Sequence, residues 1–405
     1  MMAWKTLDDL DVTGRRVLVR VDFNVPLAAN EAGHIQVTDD TRIRGALPTI
    51  RAIMDRGGTA ILMTHAGRPK GKPVPELSVR PMAERLSVLL GMPVAVSPET
   101  AGPQAEEVVA DADPGDVVLL ENTRFQDGET ANDPAFSRAL ARLGDVYVND
   151  AFGTAHRAHA STVGVAELMP ERAAGYLMDR ELKTLRRLVD APEKPFVAVV
   201  GGAKVSDKIA LLESLLGVAS TVLVGGAMAY TFLRAKGVKT GLSLVEEDRL
   251  EMASDLLSRA EGRIHLPEDH VVAPEFRADA PRRTVSGDIP ATMMGLDIGP
   301  ETRAQYAAIV REARTVVWNG PMGVFEMKPF AAGTNAMAQA LVGATGIGAF
   351  TVVGGGDSVA AITGAGLEDR VSHVSTGGGA MLEFLEGKQL PGVAVLETNT
   401  SPDRG

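Results

Sequence analysis

Five arginines, Arg20, Arg42, Arg68, Arg124 and Arg157, stand beside the ends of apolar β-branched runs or at a predicted helix start. They do so in a chain whose formal net charge is −11. Guanidinium forks grip phosphate and carboxylate with two parallel hydrogen bonds. Taken singly, each arginine is better explained by pairing with a surface Asp or Glu. Their joint placement, with His65, His156 and His159 nearby in sequence, points instead to a pocket for a small anion. The segments THAGRP (64–69) and NDAFGTAHRAH (149–159) are dense in small residues, His and Arg, which suits a tight anion site. The two histidines of HRAH are three apart, but no carboxylate ligand is placed with them, so anion binding explains the segment better than a metal does.

A second group of candidates follows glycines. VVGGAKVSDKIALLESLL (199–216) reads as a strand ending at Val200, a glycine turn, and a helix starting near Ser206. Lys204 and Lys208 share a face if both are helical, and a glycine turn into a helix N-terminus can cradle phosphate. The Gly-Lys-Ser/Thr ending of a Walker A loop is missing. Two solvated lysines on an amphipathic helix explain this segment about as well when it is read alone. In VVGGGDSVAA (352–361), three glycines allow close backbone approach and Asp357 opens a helix, either as a cap or as a ligand to Mg²⁺ on nucleotide phosphates. STGGGAMLEFLEGK (375–388) is another glycine turn into a helix, able to present N–H groups to a phosphoryl group in transit.

The elements that must position these residues are short apolar strands alternating with helical patterns. The strands are predicted within 16–25, 59–66, 116–125 and 145–152 in the first half. In the second half they lie within 196–203, 221–227, 315–321 and 350–357. Near-continuous apolar strands indicate burial on both faces, as in parallel sheets covered by helices. A crossover helix is predicted from Thr38 to Arg56, capped by Thr38, with two Asp in its first turn and Ile43, Leu47, Ile50 and Met54 on its buried face. Pro48 should bend it or force an irregular turn. The fold class is therefore α/β, doubly wound. First-half strands run into charged and amide side chains, among them Asp22, Asn24, His65 and Arg68. Second-half strands run into Gly201-Gly202, Gly225-Gly226, Gly320 and Gly354 to Gly356. Ligands of open α/β sheets bind beyond the carboxyl ends of the strands. The first half thus offers a polar anion pocket, and the second offers bare backbone suited to a nucleotide. The boundary is predicted near 170–192.

Composition narrows the field. The chain has 405 residues, 45% of them hydrophobic and only 4% aromatic, enough for two aliphatic cores. There is no cysteine, so disulfides, thiolate metal sites and a cysteine nucleophile are excluded. The start, MMAWKTLDDLDVTGRR, has no apolar stretch of the secretory type. No run approaches the ~18 apolar residues that a membrane span needs. The negative charge argues against nonspecific nucleic-acid binding.

These segments occur together in one family. RVDFNVP (20–26), GRP (67–69), LLENTRF (119–125), NDAFGTAHRAH (149–159), GGAKVSDKI (201–209), VWNGPMGVFE (317–326), GGGDS (354–358) and SHVSTGGGAMLEFLEGKQLPGV (372–393) resemble the signatures of phosphoglycerate kinases, in the family's order and across nearly the whole chain. The resemblance implies two doubly wound lobes with a hinged cleft. An N-terminal lobe over 1–172, joined by a tail at about 390–405, would bind 3-phosphoglycerate. A connection over 173–192 would lead to a C-terminal lobe over 193–389 that binds ATP or ADP with Mg²⁺. It further implies that Asp22, Phe23, Asn24, Arg42, His65, Ala66, Gly67, Arg68, Arg124 and Arg157 line the phosphoglycerate site. Arg42 would face the reacting carboxylate. Gly202, Lys204, Lys208, Gly226, Gly295, Asn319, Glu326, Gly354, Gly355, Gly356, Asp357 and Ser358 would line the nucleotide site, with Asp357 on Mg²⁺ and Glu326 on the ribose. Arg42, Lys204, Lys208, Gly378 and Gly379 would surround the transferring group. A cytoplasmic monomer with small-molecule substrates, and without nucleic-acid or membrane partners, is expected. Departures from the family's usual residues are Ala66 for Leu, Thr123 for an aliphatic, and Ala227 for Gly. Ala227 should narrow the nucleotide pocket slightly.

The chemistry implied needs no general base, because a carboxylate nucleophile is already ionised at neutral pH. It needs cations and N–H donors around an in-line geometry, and a site from which water is excluded. A nicotinamide dehydrogenase would want Gly-x-Gly-x-x-Gly after an early strand, a spacing that no glycine cluster here has. A two-lobed solute-binding protein would want an export signal and has no use for Lys204 or Asp357.

Overall fold

The computed structural model describes residues 3–398. The chain divides into two compact units, residues 1–183 with 389–405, and residues 184–388. The division falls inside one helix, Tyr176–Val189.

The first unit is built on a six-stranded parallel sheet. Its strands are β1 (Arg16–Arg20), β2 (Thr59–Met63), β3 (Ala95–Val96), β4 (Val117–Leu119), β5 (Val146–Asn149) and β6 (Arg172–Ala174), in the spatial order β3-β4-β2-β1-β5-β6. All five residues of β2 are buried, as are all four of β5. That is the burial on both faces which the apolar runs predict. The chain leaves β1 for β2 on one side and fills the other side with β5, so the strand order reverses between β1 and β5. Short terminal strands close the unit: Ala3–Trp4 pairs antiparallel with Glu397–Thr398. The side-chain amide of Asn149 also donates to the Gly392 carbonyl at 3.2 Å. The rest of the predicted tail, 399–405, lies outside the described residues.

The second unit repeats the plan with β7 (Phe196–Val200), β8 (Thr221–Val224), β9 (Ile264–His265), β10 (Thr315–Asn319), β11 (Phe350–Gly354) and β12 (His373–Val374). The order is β9-β8-β7-β10-β11-β12, again all parallel. Its reversal lies between β7 and β10. Three antiparallel strands, Asp269–Ala273, Arg283–Ser286 and Met294–Ile298, form a separate small sheet.

Each strand found from the sequence is shorter than its apolar run at the carboxyl end. β1 stops at Arg20 and β4 at Leu119, because the following residues turn away as loops. The shortest edge strands, two residues each at β3, β9 and β12, carry too little pattern to be read.

The first crossover helix, α1, spans Thr41–Asp55, not 38–56. Thr38 does not cap it: its hydroxyl donates to the Pro26 carbonyl at 3.3 Å, and Asp40 occupies the cap position without a capping hydrogen bond. Both aspartates therefore precede the helix. Ile43, Leu47 and Ile50 face the core as predicted, with Ile53 in place of the half-buried Met54. Pro48 sits inside a helix that runs unbroken through it, so packing of this face outweighs the lost hydrogen bond.

One departure from the family's usual residues leaves a mark on the core. Thr123 is fully buried, and its hydroxyl has no hydrogen-bond partner. A buried hydroxyl without a partner costs roughly 1–3 kcal/mol, whereas an apolar group of the same shape costs nothing comparable. Thr123→Val should therefore raise the unfolding free energy by about 1 kcal/mol. A rise in the urea midpoint at unchanged slope checks this, and a lower midpoint contradicts it.

Candidate active site

In the first unit the candidate residues gather at the carboxyl ends of β1, β2, β4 and β5. Side chains stitch these loops together. The Phe23 N–H donates to the Thr64 hydroxyl at 2.9 Å, and the Gly67 N–H donates to the Asn24 side-chain carbonyl at 2.9 Å. Asn122, fully buried, accepts from the Ala66 N–H and donates to the carbonyls of Ala66 and Leu77. It thereby fixes the loop that carries His65 and Arg68. Gly67 has φ +58°, and a Cβ there would lie 2.8 Å from Leu77. Ala66 is buried among these contacts.

The partners of the five arginines are the decisive geometry. Among the described residues, only Arg42, in the first turn of α1, reaches a carboxylate, that of Asp22 at 2.9 Å. Arg124 donates to the Gly67 carbonyl at 2.7 Å, while its Nε is buried without a partner. Arg157 donates from Nε to His156 at 3.0 Å. Arg68 is exposed and makes no hydrogen bond or ion pair among the described residues. Arg20 is fully buried and bonded to protein acceptors through all three nitrogens, so it is not a free fork. Together with Lys70 and His159, Arg68, Arg124 and Arg157 line a cavity of about 550 Å³, with Asp127 on its wall. Like charges this close oppose one another. Burial and then the neighbouring Arg157 and Arg20 push Arg124 down to about 10. Burial, followed by Arg20, Arg124, Arg157 and Arg42, holds His65 well below the usual histidine value. Such a cluster is a standing demand for a polyvalent anion.

In the second unit the loops after β7 and β10 cross where the strand order reverses. A Cβ on Gly201 would lie 2.0 Å from the Pro321 carbonyl, and one on Gly320 would lie 2.1 Å from the Gly201 carbonyl. Glycine is required for that crossing. Beside it lies a cavity of about 430 Å³ that includes Gly202, Gly226, Gly295, Glu326 and Asp357 in its lining. Ala227 lines it too, so the departure from Gly adds a methyl group to the cavity wall. Its outer wall is apolar: Leu242, Leu244 and Phe276 are each more than half exposed there. Sequence reading missed all three. An LSL triplet and a lone Phe in a polar stretch are their only signals.

Gly354 to Gly356 end β11 and open the helix α2 (Gly356–Gly364), with Gly355 at φ +89° as its cap residue. A Cβ on Gly355 would lie 2.6 Å from the Asn319 amide. Asp357 therefore caps nothing. It is exposed, with no hydrogen bond or ion pair among the described residues, which removes the capping reading. Ser358 is buried, and its hydroxyl accepts the Gly320 N–H at 2.5 Å. Asn319 is also buried. It donates to the Gly354 carbonyl and accepts from the Lys208 ammonium. Both residues organise the glycine loops from behind. Gly378, at φ +48°, precedes the short helix Gly379–Leu385.

The lysine turn differs from expectation. Its helix, Ile209–Val218, begins three residues after Ser206, so Lys204 and Lys208 do not share a helical face. The Glu246 carboxylate occupies the N–H groups of Val205 and Ser206 and accepts the Ser206 hydroxyl at 2.5 Å. Those N–H groups are therefore not a phosphate cradle; the turn's cationic contribution comes from its side chains. Lys204 is exposed. Lys208 is partly buried, and burial lowers its pKa against the pull of Asp357, Asp207 and Glu386.

A family model described as phosphoglycerate kinase matches residues 7–388. The chain belongs to the phosphoglycerate kinase family. It is 58% identical over 391 residues to the phosphoglycerate kinase of Salinibacter ruber, covering 96% of this chain and 98% of that protein. It is 56% identical over 399 residues to that of Chloroherpeton thalassium, covering 98% and 99%. The solved phosphoglycerate kinase structure from Coxiella burnetii superposes with a TM-score of 0.87 at 40% identity, over 97% of this chain and 99% of that one.

Beneath the second cavity, Asp297 accepts the N–H groups of Ile298 and Gly333 and is almost wholly buried. Burial pushes its carboxyl up to about 7, against the lowering effect of those N–H groups. The folded state thus holds a proton that the unfolded state has lost between pH ~4 and ~7, so this group's contribution to stability falls as pH rises through that window. Buried His65, His159 and His270 act with the opposite sign. A comparison with Asp297→Asn isolates the carboxyl. The wild-type stability minus that of the variant should fall from pH 4 to 7 and level off above 8. A constant difference would contradict the assignment.

Proposed function

We propose that this chain transfers a phosphoryl group reversibly between ATP and the carboxylate of 3-phosphoglycerate, giving 1,3-bisphosphoglycerate and ADP. The observation that carries the reading is the cluster of Arg68, Arg124 and Arg157, none of them matched by a carboxylate, beside neutral His65. It fits the phosphate of the substrate. Asp22 and Asn24 would hold the glycerate, with Phe23, Ala66 and Gly67 shaping the loop around it. Arg42, half exposed, would turn from Asp22 to the reacting carboxylate.

In the second unit the apolar wall would hold the base and Glu326 the ribose. Lys204, Lys208 and the bare backbone at Gly202, Gly226, Gly295 and Gly354 to Gly356 would meet the phosphates, with Asn319 and Ser358 supporting them. The exposed, unpartnered carboxylate of Asp357 beside this cavity suits a hard cation that keeps most of its other ligands from phosphates and water. Mg²⁺ held there would neutralise phosphate charge. Lys204, Arg42 and the backbone at Gly378 and Gly379 would stabilise the group in transit. The nucleophile is already a carboxylate, so no residue is needed as a base. Each substrate belongs to its own unit, while transfer needs reacting atoms ~3–3.5 Å apart. A domain movement, with 173–192 and 372–395 as its flexing segments, would supply that approach and exclude water.

The direct test is ADP formation from ATP. It should require both Mg²⁺ and 3-phosphoglycerate, and folded protein without that activity would sink the reading. Arg42→Ala should lower kcat by roughly 10³–10⁵. A raised KM with unchanged kcat would show that Arg42 contributes uniform binding only. Asp357→Asn should weaken binding of Mg-ADP far more than binding of metal-free ADP in calorimetric titrations. Equal losses would remove Asp357 from the metal site.

A further inference from the structure

Beneath the arginine cluster lies a chain of buried groups. Arg20, at the last position of β1, donates from Nε to the Ser161 hydroxyl at 2.8 Å and from Nη2 to Nδ1 of His65 at 3.1 Å, while Nη1 donates to the Val21 carbonyl. Ser161 meets the Glu129 carboxylate twice, through its hydroxyl at 2.6 Å and its N–H at 3.0 Å. Arg20, Ser161 and Glu129 are all fully buried. The Tyr147 hydroxyl pins the backbone here by donating to the Ser161 carbonyl at 3.0 Å. His159 stands at 3.8 Å from the same carboxylate.

The direction of each bond follows from chemistry. A guanidinium only donates. The Ser161 oxygen therefore accepts from Arg20 and spends its own hydrogen on Glu129. Likewise Nδ1 of His65 accepts, so a neutral imidazole carries its proton on Nε2. Every bond in the chain has one possible polarity, and the chain ends on the Nε2–H donor of His65.

We propose that Arg20, Ser161 and Glu129 are positioning residues that fix the ring and tautomer of His65, so that it presents an N–H to the substrate anion without any of the three touching that anion. Glu129 supplies the negative charge that lets Arg20 remain buried. Ser161 spaces the two charges apart and aims the guanidinium. The inference rests on His65 contacting 3-phosphoglycerate as proposed above.

The test has two arms on the full chain. In protein labelled with ¹⁵N-histidine, free of ligand, His65 should show a protonated Nε2 and an unprotonated Nδ1, its signals being those missing from His65→Gln. An Nδ1–H tautomer overturns the proposal. Arg20→Lys keeps the charge but cannot span Ser161 and His65 together, so it should shift the His65 signals; unchanged signals also overturn the proposal. In the second arm, Ser161→Ala should weaken 3-phosphoglycerate binding about tenfold, the scale of one hydrogen bond to a charged group. The same substitution in the His65→Gln background should cost less than about twofold, as expected for residues acting through one another. An equal loss in both backgrounds shows that Ser161 does not act through His65 and overturns the proposal. The tautomer is read without turnover, so failure of the relay and failure of the kinase reading are distinguishable.

Discussion

The structure is organised around positive charge that the protein does not neutralise for itself. Arg68, Arg124 and Arg157 line one cavity with a single carboxylate, Asp127, on its wall, and the buried carboxylate of Glu129 is engaged by Ser161. Uncompensated cations repel one another and lose hydration when partly buried, as the depressed value of Arg124 records. A chain with 52 acidic residues has many ways to pair them off. That it does not is a constraint on everything nearby. The loops must be rigid enough to hold the guanidinium groups against repulsion. Asn122, Asn24 and Thr64 provide that rigidity through hydrogen bonds to loop backbone. On the proposed reading, binding an anion would relieve that repulsion, so affinity would come from relieved repulsion as well as from new contacts.

The second unit meets a different constraint with the same sheet. Its ligand-binding end is made of backbone, because the loops after β7 and β10 cross at distances that no side chain tolerates. Polar side chains there, Asn319 and Ser358, face inward and hold the crossing. Charge comes from Glu326 and Asp357 in the lining, beside an apolar wall, and from Lys204 and Lys208 on the neighbouring turn. On the proposed reading, one unit would treat its ligand as a compact polyanion, the other as a flat body with a phosphate tail. Two such sites suit a reaction between two anionic substrates that needs no base.

Much of this was legible in the sequence because the relevant signals are local. Apolar strands, the polar or glycine residues that follow them, and the family's motifs all lie within short windows. What escaped is tertiary. Glu246 takes the N–H groups of the lysine turn from 41 residues away along the chain, and no pattern in GGAKVSDK announces it. Arg20 read like the other arginines, since nothing local shows that Ser161 and His65 would occupy it. Thr38 looked like a helix cap, yet Pro26 claims its hydroxyl. Pro48 should bend the helix or force an irregular turn, yet α1 is one continuous helix through it, with Ile43, Leu47, Ile50 and Ile53 buried. In each case a distant partner outweighed a local propensity, and distant partners are what a single sequence records least.

The central claim is that unpaired guanidinium groups bind the phosphate of the substrate. It is tested most directly by titrating the full chain, free of nucleotide, with 3-phosphoglycerate and with glycerate, which lacks only the phosphate. Two or more charge-assisted contacts at roughly 1.5–3 kcal/mol each place the loss at about a hundredfold or more. The account predicts that difference, together with a marked weakening of 3-phosphoglycerate, but not of glycerate, in Arg68→Ala. Equal affinity for the two ligands would contradict it.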